Sequence, residues 1–224
     1  MIWSVGLLRL VRVIAFLALF CSPVIAEDET DENREELGGP EVYPEFLRKG
    51  VNEWGVWGAI SVKSRTPIGN TIYRTTWLAG IRYGRVVGTK LHTAFEYTFD
   101  FVPLELVRND PSGPPVDGVE PTHNVYGFGL WPAGIKFIMG EGCKIKPFVG
   151  INSGLVLFNS AVPWEGRRAN IAGNLDAGIH YMFREDRALT IAYKYHHVSN
   201  AYTAERNVGT NVNMIMIGYS WFSK

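Results

Sequence analysis

Apolar and polar residues alternate with a period of two along most of this chain, the pattern of β-strands whose two faces meet different surroundings. In segment 91–101 the apolar face carries Leu91, Thr93, Phe95, Tyr97, Phe99 and Phe101. In segment 171–183 it carries Ile171, Gly173, Leu175, Ala177, Ile179, Tyr181 and Phe183. Each segment taken alone also fits a soluble β-sandwich, with its polar face in water and its apolar face on a core.

The whole set of strands favours a membrane barrel. Eight runs occur, near 51–62, 71–85, 89–102, 122–138, 144–158, 170–184, 187–199 and 211–222. Most are longer than the five or six residues typical of soluble strands, and beyond residue 43 no segment has the roughly 18 to 20 consecutive apolar residues of a membrane helix. The predicted fold class is therefore all-β, an eight-stranded antiparallel transmembrane β-barrel of the bacterial outer membrane.

The connections predict which end of the barrel faces outward. Short turns are predicted at 86–88, 139–143 and 184–187, and longer loops at 63–70, 102–121, 159–169 and 200–210. Because outer-membrane barrels have short periplasmic turns and long extracellular loops, the seventh strand should end at the outer surface. An interior of this size is filled by side chains, and the inward polar positions are Arg74, Arg82, His92, Glu96, Asp100, Asn174, Asp176, His180, Lys194 and His196.

The N-terminal region predicts export. Residues 1–26 have the two arginines, apolar stretch and small or aliphatic end of a secretory signal peptide. Residues 27–42 should form an acidic, disordered tail, which leaves the barrel as residues 43–224. Loss of Arg9 and Arg12 changes 22 basic and 22 acidic residues to 20 and 22, a net charge of −2. This balance gives no support for nucleic-acid binding.

Candidate chemistry lies at the end of the seventh strand. In segment 189–199 every second residue is apolar or aromatic, and His197 and Ser199 fall on that face. A hydroxyl beside an imidazole is the minimum for acyl transfer. A soluble substrate would need a cleft, whereas this pair faces lipid, so we expect the substrate to be a lipid.

Two stretches resemble the outer-membrane lipid A 3-O-deacylases, the PagL-like acyloxyacyl hydrolases. One is His197-Val198-Ser199-Asn200-Ala201 followed by Asn207-Val208-Gly209, and the other is the run Phe128-Gly129-Leu130-Trp131-Pro132-Ala133-Gly134-Ile135-Lys136-Phe137. The resemblance implies a Ser-His-Glu triad on the outer face of the barrel, with Ser199 as nucleophile and His197 as general base. The expected glutamate falls on Asn211, which departs from the family's pattern because asparagine orients an imidazole without a negative charge.

Other residues are candidates for the remaining roles. Glu205 is an alternative third member, although a loop carboxylate beside Arg206 is also expected to be simply solvated. The candidate oxyanion or substrate donors are Asn200, Asn207 and Gly209, together with the backbone N–H groups around Ala201. Plain turn chemistry explains the asparagines equally well. Arg167, Arg168 and Arg206 suit the phosphates of the substrate or serve as ordinary loop charges.

The predicted function is a serine-type esterase that removes the acyl chain at position 3 of lipid A in the outer leaflet. We expect no cofactor and no metal, since no cluster of His, Cys and carboxylates has ligand spacing. The expected partners are lipopolysaccharide and the outer membrane, and a homodimer is a further expectation. Two alternatives stay open: a non-catalytic barrel with a structural or lipopolysaccharide-binding role, and a soluble secreted β-protein.

Overall fold

The chain forms a closed antiparallel barrel. A computed structural model describes residues 47–62, 74–109, 124–162, 166–203 and 209–224. Consecutive strands pair along the sequence, and β1 pairs with β8 to close the ring. The strands are β1 (Asn52–Ser61), β2 (Arg74–Lys90), β3 (Thr93–Asn109), β4 (Asn124–Ile138), β5 (Ile145–Val162), β6 (Arg167–Arg184), β7 (Arg187–Ser199) and β8 (Thr210–Ser223). The predicted fold class is confirmed.

Two segments predicted at the N-terminus cannot be compared with the structure. The predicted signal peptide and acidic tail lie outside the described residues. Over the ranges that are described, the chain has no helix with the length and apolar character needed to cross a membrane.

The first hairpin differs from its prediction. The predicted turn at 86–88 is wrong, because β2 continues through a register shift between Val86 and Gly88, where a bulge absorbs the irregularity. Leu91 and His92 make the turn instead, with φ values of 50° and 56°, both positive as in the type I′ turns that match strand twist. His92 therefore lies outside the lumen, 82% exposed, and its Nδ1 is 2.6 Å from Oε2 of Glu141; its predicted inward position is wrong.

Several strands extend further toward the outer end than predicted. β3 passes Pro103 and ends at Asn109 rather than near residue 102, because a register shift between Val102 and Glu105 keeps the proline out of the regular ladder. β5 ends at Val162 and β6 begins at Arg167. The predicted loop 159–169 is therefore wrong at both ends, since residues 159–162 belong to β5 and residues 167–169 to β6.

The outer surface of the barrel is apolar and the lumen is polar. Large apolar side chains project outward along every strand, with Leu155 66%, Ile217 62% and Ile191 58% exposed. Charged and amide side chains are buried on the opposite face. This distribution is that of a protein surrounded by lipid, and it contradicts the alternative of a soluble β-protein.

Buried ion pairs fill the lumen. The Arg82 guanidinium donates two hydrogen bonds to Asp100, at 2.8 and 2.9 Å. Lys194 donates to both oxygens of Asp176, at 2.7 and 2.9 Å, and its ammonium lies 5.0 Å from the centre of the Trp57 ring. Since an unpaired charge is costly at membrane depth, these pairings allow polar residues to pack inside the barrel.

Candidate active site

His197 and Ser199 lie on the outer, lipid-facing side of β7, near the end that meets the long connections. The neighbours on this face, Leu189 and Ile191, are 48% and 58% exposed, whereas His197 and Ser199 are half-buried. The predicted sharing of one face by these two residues is confirmed. The site is therefore a surface on the barrel wall rather than a cleft.

Asn211 stands directly opposite His197 on the neighbouring strand. The register of β7 and β8 pairs His197 with Asn211, and the Asn211 Oδ1 lies 2.7 Å from the His197 Nδ1. A carbonyl oxygen only accepts, so Nδ1 carries the proton in this contact. The other ring nitrogen, Nε2, is left unprotonated in the neutral ring and is competent as a general base.

Two tyrosines of β7 reach diagonally to two asparagines of β8. The Tyr195 hydroxyl donates to the Asn211 Oδ1 at 2.7 Å, and the Tyr193 hydroxyl donates to the Asn213 Oδ1 at 2.5 Å. Asn211 and Asn213 belong to the outward series of β8 but are only 5% and 7% exposed. The hydrogen bonds offset the cost of amides on an apolar surface.

These tyrosine contacts were not predicted from the sequence, in which Tyr193 and Tyr195 are simply aromatic members of the outward series of segment 189–199. One signal was available. Asn211 and Asn213 are two residues apart on a strand face that is otherwise apolar, and two polar residues there need partners on an adjacent strand.

Ser199 and His197 are not joined by a hydrogen bond. In the part of the chain that is described, no contact of hydrogen-bonding length links the Ser199 hydroxyl to the imidazole. Ligand-free hydrolases commonly have such a gap, which tightens when substrate binds. The arrangement supplies an oriented base and a hydroxyl two residues along the same face.

A tight turn follows the serine directly. The Asn200 carbonyl accepts from the backbone N and from the Oγ1 of Thr203, at 3.0 and 2.7 Å. Between them, Ala201 and Tyr202 have φ values of 50° and 59°, a region that costs residues other than glycine free energy. Asn200 is 2% exposed, and its role as an oxyanion donor stays a prediction.

Gly209 lies beside the imidazole, immediately before β8. Its φ is 44°, and a Cβ added there would lie 3.0 Å from the His197 Cε1. A glycine at this position leaves room for the ring. Glu205 and Asn207, the other predicted members of the site, lie outside the described residues together with Arg206.

The outer ends of the strands carry positive charge near this surface. Arg167 and Arg168 begin β6, and both are exposed; Arg168 donates from Nε to the Phe158 carbonyl at 3.1 Å. Arg167 belongs to the same outward series as Ile171, the cross-strand partner of Ser199. Across the described ranges, no three His, Cys or carboxylate side chains converge in a way that would hold a metal ion.

A family model described as Lipid A 3-O-deacylase (PagL) matches residues 108–220, which are 113 of the 224 residues of the chain. The match includes both resembling stretches and the site on β7 and β8. No protein in the curated set of sequences is significantly similar to the chain.

Solved structures share the architecture at low identity. The crystal structure of the outer membrane enzyme PagL is 14% identical, with 75% of this chain and 98% of that chain covered and a TM-score of 0.54. The outer membrane protein OprG from Pseudomonas aeruginosa is 11% identical, with 80% and 98% covered and a TM-score of 0.49. At such identity the likeness to PagL concerns the fold.

Proposed function

Because the chain belongs to the lipid A 3-O-deacylase (PagL) family and is an integral β-barrel of the bacterial outer membrane, we propose that it is a serine-type esterase. Its substrate is lipid A in the outer leaflet, and the bond it cleaves is the acyl ester at position 3. The observation that carries this proposal is the 2.7 Å hydrogen bond between His197 and Asn211 beside Ser199 on the lipid-facing wall.

The reaction proceeds by acyl transfer through the serine. The His197 Nε2 accepts the proton of the Ser199 hydroxyl as Oγ bonds to the ester carbonyl carbon. Collapse of the tetrahedral intermediate breaks the bond to the sugar oxygen, which takes the proton from His197. Water then attacks the acyl-serine while the same nitrogen takes one of its protons. The bond to Oγ breaks, Oγ takes that proton back from His197, and the fatty acid leaves, so the enzyme returns to its starting state.

The oxyanion requires donors close to Ser199. The backbone N–H groups around Ala201 and Gly209 and the side chains of Asn200 and Asn207 are the candidates for this role. The strained turn after Ser199 supports the first of these, because strain in a tight turn commonly marks a backbone that is fixed for function.

The position of the site on the barrel wall suits an acyl substrate. The acyl chain can lie along the apolar surface of β7 while the sugar stays at the outer rim. Arg167, further toward the rim on the same face of β6 as Ile171, is placed to meet a sugar phosphate. The proposal therefore assigns the headgroup to the rim and the scissile ester to the level of Ser199.

Digestion of lipid A by the purified full chain tests this proposal. Mass spectrometry of lipid A incubated with the barrel in detergent should show the loss of one hydroxyacyl chain with the wild type and not with Ser199→Ala. Ser153→Ala is the matched control. Ser153 pairs with Gly173, which pairs with His197, so this serine lies in the same cross-strand row, two strands away from the imidazole.

A second candidate function is a non-catalytic, lipopolysaccharide-binding barrel. The neutral Asn211 in the acid position favours it. Intact lipid A after incubation with a folded wild-type barrel that still binds lipopolysaccharide would replace the esterase proposal with this one.

A further inference from the structure

We propose that Tyr195 is a positioning residue that acts through Asn211 to keep the proton of His197 on Nδ1. This inference rests on the proposed esterase function, which needs an unprotonated Nε2. Tyr195 touches neither Ser199 nor the reacting atoms. Its effect passes through one shared oxygen.

The geometry places two donors on that oxygen. The Asn211 Oδ1 accepts from the Tyr195 hydroxyl and from the His197 Nδ1, both at 2.7 Å. Tyr195 and His197 are two residues apart on the same face of β7, and Asn211 faces His197 across the ladder. All three side chains are at least partly buried, so the contacts form a small shielded cluster.

Besides lacking a negative charge, an amide in this position differs from a carboxylate in the symmetry of its hydrogen bonding. A carboxylate offers two equivalent acceptor oxygens, so either orientation holds the Nδ1 proton. An amide turned by 180° would direct its Nδ2 donors at the ring, and the imidazole would then present a bare Nδ1 and carry its proton on Nε2. In that tautomer the ring cannot accept the serine proton.

The phenol discriminates between the two orientations of the amide. With Oδ1 toward the cluster, the single donor proton of the Tyr195 hydroxyl is satisfied. With Nδ2 there, the phenolic oxygen accepts a hydrogen bond but its own proton has no acceptor in the cluster, on a surface where lipid replaces water. An unmade hydrogen bond is unfavourable in such surroundings, so the hydroxyl stabilises the tautomer that the base requires.

The tautomer of His197 provides a test that is independent of activity. The measurement is a 15N spectrum of the full barrel in detergent micelles, in which the signal missing from His197→Gln is assigned to His197. In the wild type, the neutral His197 ring should carry its proton on Nδ1. Tyr195→Phe should shift the population toward the Nε2–H form. Tyr193→Phe is the matched control, since it removes an equivalent hydroxyl bonded to Asn213, and it should leave the signal unchanged.

The kinetic effect of Tyr195→Phe, measured once with Asn211 and once with Asn211→Asp, separates a positioning role of Tyr195 from a general structural role. We expect Tyr195→Phe to lower kcat for lipid A about tenfold with Asn211 present, and by less than about twofold in the Asn211→Asp background, where orientation no longer matters. KM should stay within about twofold in both backgrounds, because Tyr195 acts on the base. Folding of each variant is checked by the mobility shift of the unheated barrel in gels.

Two results would overturn the proposal. One is an unchanged His197 tautomer in Tyr195→Phe, and the other is an equal loss of kcat with Asn211 present and in the Asn211→Asp background. If no variant hydrolyses lipid A, the esterase function fails, whereas the 15N spectra still decide whether Tyr195 controls the proton. The two failures are therefore distinguishable.

Discussion

His197 donates a hydrogen bond from Nδ1 to Oδ1 of Asn211, 2.7 Å away on the adjacent strand. The contact orients the imidazole as the acid of a serine triad does, but it brings no negative charge to the ring. In the proposed reaction, the imidazolium formed during acyl transfer is consequently stabilised less than it would be beside a carboxylate.

Asn211→Asp should therefore increase activity. The substitution keeps the shape of the side chain and adds the missing charge, with Tyr195 and His197 as ready donors. We expect kcat/KM for lipid A to rise at least about tenfold, with ~10⁴-fold as the ceiling, which is the loss caused by the reverse change in a serine protease. A folded Asn211→Asp barrel with unchanged or lower activity would contradict this reading of Asn211.

Gly209→Ala should impair catalysis with little loss of folded protein. A Cβ there would press on the His197 Cε1 at 3.0 Å, and the φ of 44° is strained for alanine. We expect kcat to fall by about tenfold or more, since small displacements of a catalytic group are costly. Gly173→Ala is the control: Gly173 pairs with His197 on its other side, yet an added Cβ there meets nothing within 4 Å. Equal rates for the two variants would argue against the packing role of Gly209.

Tyr202→Gly should stabilise the barrel. Tyr202 is 83% exposed and has a φ of 59°, so glycine relieves strain and loses little packing. The gain in the free energy of unfolding should be about 1 kcal/mol after the entropy cost of glycine. Urea unfolding in detergent measures it. Tyr202→Ala, which removes the same ring but retains the Cβ, should show no comparable gain, and a gain of the same size would assign the effect to the ring instead.

Asp176→Asn should destabilise the barrel from within. Asp176 is 1% exposed and is bonded to Lys194 and Arg82, so its neutralisation leaves buried positive charge unpaired. The expected loss in the free energy of unfolding is about 3 to 5 kcal/mol. Adding Lys194→Met should restore most of that loss. A loss below about 1 kcal/mol for the single variant would mean that the lumen pairs are not coupled as the distances indicate.

Much of the fold could be predicted from the sequence, because the alternation of apolar and polar residues along a strand indicates which face meets lipid. The run from Leu189 to Ser199 has that period throughout, and the structure places its members on the expected faces. The hairpin at Leu91 and His92 could not be predicted, since neither residue is a typical turn former. The bulge at 86–88 had the appearance of a turn because it contains Gly88.

Only part of the candidate site, likewise, could be predicted from the sequence. His197 and Ser199 could be found from spacing on one strand, whereas the position of Asn211 became apparent only through a family resemblance. The contact itself depends on the register between β7 and β8, which alternation within a single strand does not specify. The role proposed for Tyr195 depends further on a diagonal side-chain contact across that register. The sequence holds only an indirect signal of this contact, the two asparagines on an apolar face.

The most direct test of the central claim is covalent labelling of Ser199. A lipophilic aryl phosphonate forms a stable bond to a serine that an adjacent base activates, and tryptic peptides locate the adduct. We predict one adduct, on Ser199 within the peptide of residues 195–206, that is lost in both Ser199→Ala and His197→Ala. A wild-type barrel that deacylates lipid A with Ser199 unlabelled, or with the adduct on another residue, would contradict the assignment of the nucleophile.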